Sequence, residues 1–133
     1  MDKEKQELTQ KWLIKSKRDL TAAKILAKHN PPIFDYAIFH CQQAAEKAVK
    51  AFLSYHGKDV PKVHKLEVLI KLAKEFDIDM DSKITYRSSL TDFAVETRYP
   101  DYGFGTAAEF SKALENAESF CKYIKSKLPV EVF

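Results

Sequence analysis

Polar side chains that can bind an anion recur in the segment QQAAEKAVK, residues 42–50. Gln43 precedes Glu46 and Lys47 by three and four residues, and Lys50 follows them by four and three, so on a helix the four side chains share one face. Lysine ammonium groups attract phosphate, while amide and carboxylate groups hydrogen-bond to lysines or to a ligand. The spacing predicts either a ligand-binding face or an ordinary helix surface with paired charges.

A second polar segment, TRYPDY, covers residues 97–102. The guanidinium of Arg98 suits a phosphate, the ring of Tyr99 suits a nucleobase, and Asp101 can hydrogen-bond to either the ligand or the arginine. Pro100 predicts that a helix ends here, and an arginine at a helix C-terminus also interacts favourably with the helix dipole. A local structural role and a binding role both remain open for this segment.

His64 follows Pro61 and lies at the start of a short predicted helix between the two polar segments. If a helical bundle brings these segments together, an arginine, a histidine and an aromatic ring can hold a phosphate and stack a base. The predicted ligand contacts are Lys47, Lys50, His64, Arg98 and Tyr99. The predicted supporting residues are Gln43, Glu46 and Asp101.

The sequence lacks the patterns of several other kinds of site. The four histidines are not paired at i, i+4, and there is no HExxH or Cys/His cluster, so we expect no metal site. Cys41 and Cys121 lie on apolar helix seams and are expected to be buried thiols. Neither GxSxG nor a phosphate loop of the GxxxxGK[ST] type occurs. We therefore predict no cofactor.

Helices must position these residues, since apolar side chains recur in alternating steps of four and three between Gly and Pro clusters. This pattern predicts an all-α fold, an antiparallel up-and-down four-helix bundle with an additional short helix, forming one domain over residues 1–133. The polar stretch DIDMDSK, residues 77–83, should interrupt the third window. The predicted helical windows are 1–29, 33–56, about 64–76, about 83–99 and 106–128.

Composition is that of an ordinary globular protein. The 133 residues are 45% hydrophobic and 31% charged, with a net charge of +3. No apolar run is long enough to span a membrane, and the first residues do not resemble a signal peptide. Two separated cysteines favour a reducing compartment. We therefore expect a soluble cytoplasmic protein with no membrane partner.

The order of these motifs resembles the HEPN domain (higher eukaryotes and prokaryotes nucleotide-binding). The residues that carry the resemblance are QQAAEKAVKAFL, then Gly57 and Pro61, then His64-Lys65-Leu66, then ETRYPD, preceded by Trp12-x6-Asp19-Leu20-x2-Ala23. The resemblance covers nearly the whole chain, about residues 10–127. It implies a helical bundle, a homodimer, a nucleotide or RNA as ligand, and a partner chain that is a separate minimal nucleotidyltransferase, as in toxin–antitoxin-like pairs.

Some members of that family are metal-independent ribonucleases with a histidine four to six residues beyond an arginine. No histidine follows Arg18, Arg87 or Arg98 at that spacing. The absence of this motif favours a non-catalytic module, although it leaves the question of enzymatic activity open. Two alternatives remain: a ribonuclease with a non-standard site, in which His64 is the acid or base and Arg98 stabilises the phosphate, and a purely structural bundle for protein–protein interaction.

Overall fold

All regular elements in the described part of the chain are helices. The computed structural model describes residues 2–83 and 103–133. The α-helices are α1 (Lys3–Lys28), α2 (Phe34–Tyr55), α3 (Leu66–Ala73) and α4 (Ala107–Ser126), and the 3₁₀ helices are Met80–Lys83 and Val130–Val132. The predicted all-α helical bundle is confirmed. The helix predicted over about 83–99 lies almost entirely outside the described residues.

The helix starts follow from local capping chemistry. The Asp2 carboxylate accepts a hydrogen bond from the Glu4 amide at 3.2 Å and caps α1. Thr106 caps α4 by accepting from the Glu109 amide at 3.1 Å, and a Thr followed three residues later by Glu is the capping-box pattern. These side chains satisfy backbone N–H groups that a first helical turn leaves without a partner.

Helices α1 and α2 form an antiparallel pair. At one end the Ile33 amide donates to the Leu26 carbonyl at 3.0 Å, and at the other the Lys50 ammonium lies 5.3 Å from the centre of the Trp12 ring. The two helices therefore run in opposite directions. Short connections produce this arrangement in helical bundles.

Helix α4 runs parallel to α2. The Phe34 and Phe110 rings are 6.1 Å apart near the two N-termini, and the Cys121 thiol donates to the Ala44 carbonyl at 3.7 Å further along. An up-and-down four-helix bundle gives these relative directions to its first, second and last helices. The predicted bundle topology is therefore consistent with the packing of α1, α2 and α4.

Helix α2 is the most enclosed of the described helices, with 15 of its 22 residues buried. The small side chains of Ala44, Ala45 and Ala48 predict a close approach of neighbouring helices to α2, and all three residues are buried. The Ser16 hydroxyl of α1 donates to the Ala44 carbonyl at 2.7 Å, the same oxygen that the Cys121 thiol contacts. Three helices therefore meet at one backbone carbonyl.

The helical pattern predicts that large aromatic side chains supply most of the buried area, namely Trp12, Phe34, Phe52, Phe93, Phe110 and Phe120. Fewer of them are completely buried than this prediction requires. Phe52 and Phe120 are fully buried, whereas Trp12 and Phe110 pack against the core while remaining partly exposed. Phe93, another predicted core residue, lies outside the described residues. Aliphatic side chains of α3 and α4 supply much of the remaining core.

The polar stretch after α3 anchors α4 rather than forming helix interior. The chain turns at Asp77 and enters the 3₁₀ helix at Met80, whose side chain is buried. The Tyr123 hydroxyl of α4 donates to the Asp77 carboxylate, and both burial and this bond raise the pKa of Tyr123 above its usual value. The helix break predicted at residues 77–83 is thus present and contributes to packing.

Candidate functional site

The polar face predicted on α2 is present, but it packs against the interior. Glu46 is 1% exposed and Lys50 is 6% exposed, while Gln43 and Lys47 are half-buried. The interpretation of this face as an ordinary charge-paired surface is therefore wrong for Glu46 and Lys50. Burial of charged side chains is costly unless other groups compensate, so their neighbours decide what this face can do.

Lys47 extends toward α1, where it meets a buried carboxylate. Its ammonium donates to Asp19 Oδ2 at 2.6 Å, and the His40 ring contacts Asp19 Oδ1 through Nδ1 at 2.8 Å. The Asp19 side chain is 10% exposed, compared with 25% for Lys47 and 32% for His40. These three residues, here named the Asp19 cluster, place a histidine and a lysine on the two oxygens of one carboxylate.

Glu46 lies among positively charged groups on the same side of α2. His64 Nδ1 is 3.3 Å from Glu46 Oε1 and its side chain is 72% exposed, whereas Glu46 is enclosed. Burial raises the pKa of Glu46 above the usual value of a glutamate, and the charges of Lys50, His64 and Lys47 oppose that rise. Glu46, Lys50 and His64 are here named the Glu46 cluster.

Lys50 is enclosed by an aromatic ring as well as by the Glu46 carboxylate. Its ammonium lies 5.3 Å from the centre of the Trp12 ring, within the range of a cation–π interaction. Trp12 comes from α1, seven residues before Asp19. The same face of α1 therefore provides one group to each of the two clusters.

Several buried polar atoms of this region have no hydrogen-bond partner within residues 2–83 and 103–133. They are Trp12 Nε1, Gln42 Oε1 and Glu46 Oε1. Among the described residues, the nearest charged group to Glu46 Oε1 is His64 Nδ1, at 3.3 Å. A buried polar atom without a partner costs about 1–3 kcal/mol.

The predicted site residues are only partly within the described chain. The structure brings Lys47, Lys50 and His64 around Glu46, and it places His64 in the loop two residues before α3 rather than in the helix. Gln43 lies on the same helix, half-buried. Arg98, Tyr99 and Asp101 lie outside the described residues, so their predicted roles stay predictions.

Three residues of this region were missed as site residues in the sequence. Asp19 and Trp12 carry part of the resemblance but were assigned no role in the site, Trp12 being predicted only as a core residue, and His40 was considered only as a metal ligand. The signal for His40 is its position three residues before Gln43, which continues the step along the polar face of α2. The signal for Asp19 is that an acidic residue lies between two positions of α1 whose apolar side chains are predicted to face the core.

The two cysteine thiols of the described residues are enclosed. Cys41 and Cys121 are buried free thiols, as predicted, and burial raises the pKa of Cys41 to about 12. Burial also raises the pKa of Cys121. Thiols held in this way are poor nucleophiles.

No three His, Cys, Asp or Glu side chains of the described residues lie close enough together to hold a metal ion.

No helix within the described ranges is both long enough and apolar enough to cross a membrane.

Comparison with known proteins defines the class of this fold and site. The family model of the HEPN domain matches residues 9–127, close to the full length of the chain. No curated protein and no solved structure matches the sequence. The chain belongs to the HEPN domain family, a nucleotide-related class of helical modules, and the resemblance found in its motifs is confirmed.

Proposed function

We propose that this chain is a non-catalytic HEPN module, folded as one domain, that binds a nucleotide or another phosphate-bearing ligand. Lys47, Lys50 and His64 would contact the ligand together with Arg98 and Tyr99. Gln43, Glu46 and Asp101 would orient these groups. The proposal extends the family assignment to a specific set of residues.

The observation that supports this proposal is the grouping of three positively charged side chains around Glu46. Lys47, Lys50 and His64 each act on the Glu46 carboxylate, and two of them retain access to solvent. A phosphate brought to this point would meet ammonium and imidazole donors whose own counter-charge is largely enclosed. The enclosed acid would hold the donors in place without itself contacting the ligand.

Titration calorimetry with ATP and with GTP tests the proposal. We expect wild-type protein to bind at least one of them, and His64→Ala and Arg98→Ala to bind it more weakly. His29→Ala is the matched control, because His29 is also an exposed histidine but contacts the Pro31 carbonyl in the connection between α1 and α2. The absence of binding by wild-type protein, or equal binding by all four proteins, would refute the proposal.

A structural bundle is the competing function, and the burial of Glu46 and Lys50 favours it. Buried ion pairs can often be replaced by apolar residues of similar volume without loss of stability. A bundle without a ligand predicts that Lys50→Met is at least as stable as wild type and that nucleotides do not bind. Cleavage of single-stranded RNA in the absence of metal would instead support the ribonuclease alternative.

We further propose that the module forms a homodimer and pairs with a separate minimal nucleotidyltransferase chain, as in a toxin–antitoxin-like system. Phe104, 83% exposed, supports a contact patch that we predict to include Tyr99 and Tyr102, both outside the described residues. Light scattering should give twice the monomer mass of 15.3 kDa, and Phe104→Ser should reduce it. A monomer mass at high protein concentration would contradict the dimer. A cytoplasmic location belongs to the same proposal.

A further inference from the structure

The Asp19 cluster contains an exposed histidine whose orientation is fixed by a buried carboxylate. Asp19 receives the Lys47 ammonium on one oxygen and His40 Nδ1 on the other. A carboxylate beside an ammonium is an acceptor only, so this contact requires a proton on Nδ1 of His40 and selects the Nδ1–H tautomer of the uncharged ring. The remaining ring nitrogen, Nε2, is then a hydrogen-bond acceptor.

Nε2 of His40 has no partner within the described residues, and the ring is exposed enough for a ligand to reach it. The imidazole side chain is 32% exposed, and the Phe39 ring supports it edge-on with centroids 5.7 Å apart. An acceptor nitrogen repels the oxygens of a phosphate and attracts a group that carries a proton, such as a hydroxyl. His40 is therefore suited to bind a hydroxyl group of a ligand, whereas the lysines are suited to bind a phosphate.

Lys47 provides the complementary donor next to this acceptor. One of its three ammonium protons is directed at Asp19 Oδ2, and the others remain available at a side chain that is 25% exposed. Since both residues hold the same carboxylate, a phosphate donor and a hydroxyl acceptor are adjacent. A ribonucleotide carries both a phosphate and ribose hydroxyls on one molecule, whereas inorganic phosphate carries no such hydroxyl.

The geometry points to His40 as a ligand-contacting residue that accepts a hydrogen bond from a ribose hydroxyl, which makes the ligand a ribonucleotide. This inference rests on the proposed nucleotide-binding function and names the class of nucleotide. Lys47 contacts the phosphate of the same molecule. His40 thereby discriminates between ribose and deoxyribose without reading the base.

The test compares ATP with 2′-deoxy-ATP and 3′-deoxy-ATP by titration calorimetry on the full chain. We expect wild type to bind ATP about threefold to tenfold more tightly than at least one of the deoxy analogues, the range for a single neutral hydrogen bond. His40→Ala should bind ATP more weakly and lose that ratio. His29→Ala, the control, should keep both the affinity and the ratio.

The ratio is measured on one sample, so a reduced folded fraction in His40→Ala affects both ligands equally. Equal binding of all three nucleotides by wild type would overturn the inference while leaving the proposed function intact. A ratio preserved in His40→Ala would also overturn it, since the hydroxyl would then be recognised elsewhere. Failure of wild type to bind any of the three would overturn both proposals.

Discussion

Replacing Asp19 with alanine measures how strongly the Asp19 cluster stabilises the α1–α2 pair. The carboxylate is 10% exposed and receives Lys47 at 2.6 Å and His40 at 2.8 Å. Without it, an ammonium group and an imidazole N–H lose their acceptor at the helix interface. The two helices would remain packed through Ser16 and their apolar residues.

The expected loss follows from the exposure of the partners. A hydrogen bond to a charged group contributes about 1.5–3 kcal/mol, and removing one member of a fully buried pair costs about 3–5 kcal/mol. Lys47 and His40 remain 25% and 32% exposed, so water partly replaces the lost acceptor. We therefore expect Asp19→Ala to lower the free energy of unfolding by about 2–3 kcal/mol, which is about 6–12 °C in Tm.

Urea unfolding followed by circular dichroism at pH 7 provides the measurement, and Glu118→Ala is the matched control. Glu118 also joins a lysine of α1, Lys24, at 2.9 Å, but both side chains are nearly half exposed. An exposed pair of this kind contributes less than about 1 kcal/mol. If Asp19→Ala cost no more than Glu118→Ala, the reasoning from burial would be refuted.

Three further predictions concern ionisable groups at other points of the bundle. Because burial raises the pKa of Glu46 above the usual value of 4.5, ionisation of this residue opposes folding above pH 4.5. Glu46→Gln should therefore raise the free energy of unfolding at pH 7 and lose that advantage below pH 4.5. A difference in stability between mutant and wild type that is the same at both pH values would contradict this prediction. Burial and the nearby Lys5 lower the pKa of His56, whose ring stacks on Phe76 with centroids 4.4 Å apart. His56 therefore binds a proton more readily in the unfolded chain than in the folded one, and wild type should lose stability as the pH falls below 6.5. His56→Phe should lose less stability over the same pH change. Urea unfolding midpoints of both proteins at pH 7.5 and pH 5.5 test this prediction. The thiols of Cys41 and Cys121 should not react with a disulfide reagent at pH 8 in folded protein, and both should react in urea; rapid reaction of either in the native state would show that it is accessible.

The sequence predicted the helices well because their signals are local. Pro32 and Gly57 placed α2 within one residue of its observed ends, and apolar steps of three and four identified it as a helix. The capping pattern at Thr106 and Glu109 begins α4 near the predicted position. The break at residues 77–83 was also correct. Each of these features depends on side chains within a few residues of one another.

The candidate site was predicted less completely because its partners come from different helices. Helical spacing grouped Glu46, Lys47 and Lys50 on one face, but it could not show that α1 covers this face. Lys47 meets an aspartate 28 residues away in the chain, and that pairing depends on the register between two helices. His40 was missed for the same reason, since a single histidine acquires a role only from its neighbour.

The Ala44 carbonyl, which accepts hydrogen bonds from both α1 and α4, fixes the rotation of α2 about its own axis. Insertion of one residue after Ala44 would turn the rest of the helix by about 100° relative to this anchor. The charged groups would then leave the α1 side and core residues such as Phe52 would leave their pockets. Substitutions along α2 should therefore be tolerated better than a one-residue insertion or deletion after Ala44, because only the latter changes which side chains face α1 and α4.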